Sequence, residues 1–292
     1  MSQHDPLVPA PTPTAVNTRL LVRVGSRPDF LDYLVALWDY RHFVYYDSRA
    51  RLLSGNSQDR LGGSWLLLTP LLNGAVYYLI FGILLGTGNG IENFISYLII
   101  GLFLFQYSTR SISASARSMI NNKNVLQAFR FPRATLPLAV NVREALSSVP
   151  TLIVMLILII LIPPVEVISI KWIFLLPAVI LQSIFHLGVS LTMARVVAFI
   201  PDVAHILGFG LRAWLYFSAV FFSVDRFADT PWIIGVMNAN PMFVVLDIAR
   251  DCLLYDTWPS LIRWLTLCVW ALGSLSVGIV FFWRAEERYG RS

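Results

Sequence analysis

Charge is what this sequence has least of. Only 13% of its 292 residues are Asp, Glu, Lys or Arg, about half the share of an ordinary soluble domain. With 57% hydrophobic residues beside it, the chain has too little polar surface to cover a water-soluble globule, and lipid is its simplest solvent. Lysine is nearly missing. Lys123 and Lys171 are the two present, neither follows a glycine, and no G-x-x-x-x-G-K-[ST] loop exists, so the chain does not hydrolyse ATP by a phosphate-loop mechanism alone. Two cysteines, Cys252 and Cys268, argue against a disulfide framework or a cysteine metal site. His4, His42, His186 and His205 are too scattered for a metal cluster. No catalytic or metal-ligating set is therefore expected, and no cofactor on this chain. The net charge of +5 comes from scattered arginines beside apolar runs and not from one dense basic stripe, which argues against nucleic acid as a partner.

What the sequence has in abundance is uncharged apolar runs near the roughly 20 residues a helix needs to cross a bilayer. We expect an all-α polytopic membrane protein with six spans, over residues 65–86, 93–109, 145–165, 172–194, 206–224 and 264–283. The second span has an uncertain cytoplasmic end, because residues 111–116 can extend it. The third stops at Pro163 and Pro164, which do not continue a helix easily. Arg212 interrupts the fifth, and a tryptophan stands at each edge of the sixth, as interfacial belts prefer. Between the last two lies an uncharged run, residues 230–246, broken by Asn238, Asn240 and Pro241. Two short half-helices forming a re-entrant element fit it better than a seventh span.

Basic loops stay in the cytoplasm. Residues 1–60 carry seven arginines and residues 110–143 six basic residues, whereas the loop 166–171 carries only Lys171. Both termini are thus expected in the cytoplasm, which requires an even number of crossings. Residues 1–18 are polar, carry Pro9, Pro11 and Pro13, and lack the pattern of a secretory signal; residues 1–27 read as a disordered tail. Residues 28–60 contain Phe30, Leu34, Leu37 and Trp38 at helical spacing, with Asp32 and Asp39 on other faces, and read as an amphipathic helix at the cytoplasmic membrane surface. A small soluble subdomain is the alternative. Residues 61–283 form the transmembrane domain and 284–292 a basic cytoplasmic tail. Gly86, Gly88 and Gly90 read as a turn.

Ionisable groups inside membranes are costly and mark function. Arg143 and Glu144 read as a salt bridge at the start of span three, and His186 as a neutral, hydrogen-bonded packing residue. Arg212 either faces a water-filled path, where its fork suits a phosphate, or snorkels to the surface. Aromatics crowd span five, with Trp214, Tyr216, Phe217, Phe221 and Phe222, and span one, with Tyr77, Tyr78 and Phe81. Such faces stack on sugar rings or simply pack; Tyr77, Phe81, Arg212, Trp214, Tyr216 and Phe217 are the candidates for a translocation path.

Two stretches carry a family resemblance. The first is Leu61-Gly62, Trp65, Pro70-Leu71-Leu72, Tyr77 and Ile80-Phe81-Gly82. The second runs from Gly101-Leu102 through Ser118, Asn121 and Leu126 to Phe131-Pro132-Arg133 and Leu136-Pro137-Leu138, with Asn240-Pro241-Met242 later in the chain. In these residues the sequence resembles the ABC-2 type polysaccharide exporter permeases of O-antigen and teichoic acid, departing from them at Phe105, where tryptophan is common. The excess of arginine over lysine suggests a GC-rich genome, and the sequence looks most like the actinobacterial galactan exporters. The resemblance implies a homodimer of six-span subunits in the bacterial plasma membrane, with two separate ATP-binding subunits holding ATP and Mg, and a polyprenyl-pyrophosphate-linked polysaccharide as cargo. It further implies that Asn121, Asn122, Lys123, Asn124 and Leu126 lie on the loop that docks on the ATPases. Residues 231–252 would form an extracytoplasmic gate including Trp232, Asn240, Pro241 and Arg250, with Asp247, Arg250 and Asp251 solvating its outer end or contacting the polymer. A drug or lipid efflux permease is the rival reading within the fold. A membrane enzyme on polyprenyl-linked sugars is the rival from another class, with Asp247, Asp251 and Asp256 as its only outward carboxylates.

Overall fold

The structure is a computed structural model that describes residues 29–54, 64–86, 91, 93–129, 131–164, 166–287 and 289. The expected N-terminal tail, the Leu61-Gly62 pair, Gly88, Gly90 and the end of the C-terminal tail lie outside the described residues. Within them the chain is helical, without a β-strand. Two short helices, α1 (Phe30–Asp39) and α2 (Arg41–Ser54), precede α3 (Trp65–Tyr77), which continues as a π-helix over Tyr78–Leu84. The long α4 (Phe94–Ala116) is followed by two short helices, α5 (Ser118–Asn121) and α6 (Lys123–Ala128), then α7 (Thr135–Leu161) and α8 (Leu175–Phe199), the latter entered through a 3-10 turn at Ile170–Phe174. The chain closes with α9 (Val203–Phe217), α10 (Pro231–Ala239), α11 (Pro241–Leu253) and α12 (Leu261–Trp283).

Helices stand at all six expected positions. By length and composition, three are sufficient to cross a membrane unaided: Thr135–Leu161, Ile170–Phe199 and Leu261–Trp283. The bent pair α10–α11 makes a fourth if counted as one span, while Leu68–Leu84 and Val203–Phe217 are shorter apolar helices. Although α4 has 23 residues, or about 34 Å at 1.5 Å per residue, its C-terminal third is rich in serine. That polar third is affordable because α4 is the central helix and is buried over nearly its whole length.

Several boundaries differ from expectation for local reasons. Helix α4 includes the small-residue turn up to Ala116, and α7 starts ten residues before the expected span, at Thr135, directly after the Phe-Pro-Arg stretch. Span five is shorter than expected, because α9 stops at Phe217. Ala219 there takes a left-handed backbone (φ 51°), which breaks the helix and sends Val220 and Phe221 into the core. The N-terminal surface segment is two helices rather than one. Its packed face is Phe30, Tyr33 and Leu37, with Phe30 edge-on to Trp283 at 5.3 Å and Tyr33 buried. Trp38 is not on that face: with Leu31 and Val35 it forms an exposed apolar stripe at i, i+4, i+7 spacing, so α1 is apolar toward the protein and also away from it.

The main core surrounds α4: Leu98, Ile100 and Leu104 meet Met155 and Ile159 of α7, Leu246 and Ile248 of α11, and Leu267 of α12. A second cluster, at the end where α5 lies, joins Tyr33, Met119, Leu136, Leu191, Phe282 and Tyr289. Lipid is as apolar as leucine, so helix association here rests on close packing and on hydrogen bonds. Both are present. Gly188 of α8 and Gly278 of α12 bring the two backbones into such contact that a Cβ on either would overlap the other helix. An uncharged ladder runs down α4, with Ser108 to His186 Nε2 (2.8 Å) and Gln182 (3.0 Å), and Ser111 and Ser115 to the Asn141 amide (2.7 Å each). His186 is thereby a buried, hydrogen-bonded packing residue, as expected.

Candidate translocation and coupling site

The loop after α4 is folded as α5 and α6 and splits its residues between two tasks. Asn122 donates its amide to the Ser118 carbonyl (2.8 Å), and Leu126 packs against the second core cluster. Asn121, Lys123 and Asn124 point outward and are exposed. Immediately after this loop the Phe-Pro-Arg stretch lands on the C-terminal end of the chain. Glu286, buried just beyond α12, accepts from the Arg133 backbone N–H (2.9 Å) and from the Tyr33 hydroxyl (3.0 Å). The Arg133 guanidinium donates to the Glu286 carbonyl, and the Ala134 N–H reaches the Tyr33 oxygen (3.3 Å). Burial raises the Glu286 carboxyl above its ordinary value, opposed by the Arg133 N–H and the Tyr33 hydroxyl, and burial likewise raises Tyr33 and Tyr289. One carboxylate thus ties the loop exit, helix α1 and the last span together. Sequence reasoning had Arg133 in its motif but missed Glu286 and Tyr33, whose partners lie more than a hundred residues away in the chain.

Of the expected path residues, Tyr77, Phe81 and Tyr216 gather around Phe221, which stacks on Phe81 with ring centroids 4.3 Å apart and lies 4.9 Å from Tyr77 and 5.4 Å from Tyr216. Phe217 is exposed. Trp214 stands apart from this cluster, edge-on to Phe105 at 5.4 Å, at the position where the resemblance leads one to expect tryptophan. A cavity of about 190 Å³ opens between α3, α4 and α9, and its lining includes Tyr77 and Arg212 together with Asn73, Gln106 and Thr109. The sequence reading singled out Arg212 but not the three uncharged polar residues around it; no periodicity distinguishes them.

The segment between α9 and α12 bends by 90° at Asn240. Pro241 starts α11, where its missing N–H costs nothing, and Asn240 caps that helix by accepting from the Met242 N–H (3.0 Å). The Asn240 amide also donates to the Phe217 carbonyl and Ser218 hydroxyl (3.1 Å each), while its oxygen accepts from the Trp214 indole (2.8 Å). Trp232, on α10, is exposed. The expectation that Arg250 solvates the outer end of this segment is corrected. Its side chain is 2% exposed, lies 3.3 Å over the Tyr97 ring and donates to the Ala219 carbonyl (3.0 Å), so its charge is spent on backbone oxygens freed by the left-handed turn. Asp247 and Asp251 both pair with Arg263 of α12. Asp256 pairs with Lys171 (2.9 Å), whose hydrogen bond holds the Asp256 carboxyl below its ordinary value. These acids are engaged by cations, and no His, Cys, Asp or Glu grouping suited to a metal exists among the described residues. Cys252 and Cys268 are free thiols.

Residues 50–254 match the family described as ABC-2 type transporter. The chain belongs to that family. It is a multi-pass membrane protein of the ABC-2 type, and its relatives are transport permeases. An O-antigen export system permease protein of Klebsiella pneumoniae is 28% identical over 202 residues, which cover 68% of this chain and 74% of the relative. A second Klebsiella pneumoniae permease of that name is 28% identical over 62% of this chain and 68% of its own length. The corresponding permease of Myxococcus xanthus is 26% identical over 75% of this chain and 83% of its own. The matched region runs from the end of α2 through α11, and so includes the cavity, the short helices α5 and α6 and the bent pair.

Proposed function

We propose that this ABC-2 chain is the membrane subunit of an ATP-driven exporter that carries a polyprenyl-pyrophosphate-linked polysaccharide, galactan-like in its sugars, from the cytoplasmic to the outer side of a bacterial plasma membrane. The observation that carries the reading is the similarity to O-antigen export permeases over most of both chains. In it α3 with its π-helical end, α4, α7, α8, α9 and α12 make six crossings with both termini in the cytoplasm, and α10–α11 form the outer gate. Two copies assemble with two ATP-binding subunits, where ATP and Mg reside. The exposed Asn121, Lys123 and Asn124 meet those subunits, and Asn122 and Leu126 hold the loop that carries them. The domain limits follow: an interface region over 28–60, a transmembrane domain over 61–283 and a short tail after it. Rigid-body motion of the ATPases then passes into the spans through α5 and α6, a mode common among switching proteins.

The test is export in proteoliposomes holding this chain with its ATP-binding subunit and a lipid-linked galactan. ATP-dependent appearance of glycan on the far side, lost when either subunit is omitted, is the expected result. Export that persists without any ATPase, or transport confined to hydrophobic drugs, overturns the reading.

A further inference from the structure

Arg212 occupies an unusual position. Its helix, α9, is otherwise uncharged from Val203 to Phe217, and about 14 Å of helix separates it from Val203, more than an arginine side chain spans. Among the described residues its guanidinium has no carboxylate partner, and its one recorded ring neighbour is Phe209, 5.6 Å away. Arg212 is exposed at the rim of the cavity, and a cation on an apolar helix of a membrane protein is costly unless something satisfies it. The cavity it lines supplies Asn73, Gln106 and Thr109 as polar groups, with Tyr77 beside them, and not one acidic residue. On the same helix face one turn beyond Gln106, Arg110 has its Nε and Nη2 buried without a partner. Donors converge here: one cation and three neutral polar side chains line the space and no acidic residue does, while the second cation, Arg110, has the charge of Glu144 acting on it.

We infer that this cavity between α3, α4 and α9 is an anion site for the pyrophosphate of a polyprenyl-linked substrate, with Arg212 as its principal ligand and Asn73 and Thr109 as additional donors. The inference rests on the proposed export function and names the part of the cargo that this chain grips. A planar guanidinium presents paired N–H donors that match phosphate oxygens two at a time. The apolar walls, Leu102 and Phe105 among them, lower the local dielectric and strengthen that attraction. A doubly phosphorylated headgroup brings several acceptor oxygens, enough to occupy an arginine and two neutral donors together. The sugar chain needs no contact here, so the site reads the carrier and not the glycan.

The measurement uses the full chain with its ATP-binding partner in nanodiscs, titrated with sugar-free decaprenyl pyrophosphate, with decaprenol, and with inorganic pyrophosphate. Decaprenyl pyrophosphate is expected to bind at least about tenfold more tightly than decaprenol, and Arg212→Gln to weaken it by about tenfold or more, the scale of one lost charge-assisted pair. Arg212→Lys keeps the charge but loses the fork, and is expected to fall between. Competition by inorganic pyrophosphate marks the anion alone as sufficient; its failure to compete marks the lipid-borne headgroup, and both arms agree with the site. If Arg212→Gln does not accumulate, Asn73→Leu reads the same cavity and is expected to weaken binding about threefold. Unchanged affinity in properly assembled Arg212→Lys and Asn73→Leu complexes overturns the inference even where glycan export persists. Headgroup binding that depends on Arg212 without any glycan export leaves the site standing and removes the export function instead.

Discussion

The Trp214 indole N–H and the Asn240 side-chain oxygen lie 2.8 Å apart, joining the end of α9 to the apex of the bend between α10 and α11. Asn240 also caps α11 and donates to Phe217 and Ser218. Trp214→Phe removes one of these bonds and is expected to cost about 1 kcal/mol of stability, whereas Asn240→Ala also removes the cap and is expected to cost about 2–3 kcal/mol. Unfolding in detergent measures both. The double variant should show a coupling above about 0.5 kcal/mol; strict additivity means that the two side chains act separately.

As the proposed coupling loop, residues 121–126 would separate contact from support. Asn121→Ala, Lys123→Ala and Asn124→Ala change exposed residues and are each expected to alter stability by less than about 0.5 kcal/mol, while lowering export and copy-number of the ATPase recovered with the chain. Leu126→Ala is expected to lower thermal stability as well, because it empties a place in the second core cluster. Pull-down and a thermal-unfolding curve, run on the same preparations, distinguish the two classes.

How much of this was legible in the chain divides along one physical line. Periodicity and charge report on local structure, so the positions of the helices, the break at Asn240-Pro241, the packing role of His186 and the missing phosphate loop could be read directly. The early stop of α9 could not, because it depends on the left-handed turn at Ala219, a conformation alanine does not advertise. Arg250 misled for a related reason. An arginine near acidic residues reads as surface, yet the carbonyls freed by that same turn draw it inward. Nor does any local pattern join Tyr33, Arg133 and Glu286, since contacts across 253 residues exist only once the helices have packed.

Glu286 is expected to make that packing pH-sensitive. Its folded-state value is raised above the ordinary 4.5, so above that ordinary value the folded chain holds the proton more firmly than the unfolded chain. Stability is therefore expected to fall as pH rises from 4.5 through the raised value, and to level off beyond it. Glu286→Gln removes this slope while keeping an acceptor oxygen for one of the two donors, the Tyr33 hydroxyl and the Arg133 N–H. Thermal unfolding between pH 4.5 and 8 checks it; identical pH profiles for the two proteins would contradict the role.

Gly188→Ala and Gly278→Ala each place a methyl group where the facing backbone already lies. Each is expected to destabilise by about 3 kcal/mol or somewhat more, the upper range for overpacking, with poor accumulation in the membrane. Gly208→Ala and Gly210→Ala, whose added methyls meet open space, are the controls and are expected to be tolerated. Expression level and melting temperature in detergent decide between them.

That glycine contact also determines which parts of the molecule can act as a hinge. Helices α8 and α12 touch backbone to backbone and form one beam, anchored beyond the C-terminal end of α12 by Glu286 and Arg133. By contrast, α9 borders open space along Gly208 and Gly210, and α3 carries Pro70 and a wide π-helical turn in place of regular α-helix. Under the proposed coupling through α5 and α6, the beam is the part that resists force and the loosely built wall around Arg212 is the part expected to yield.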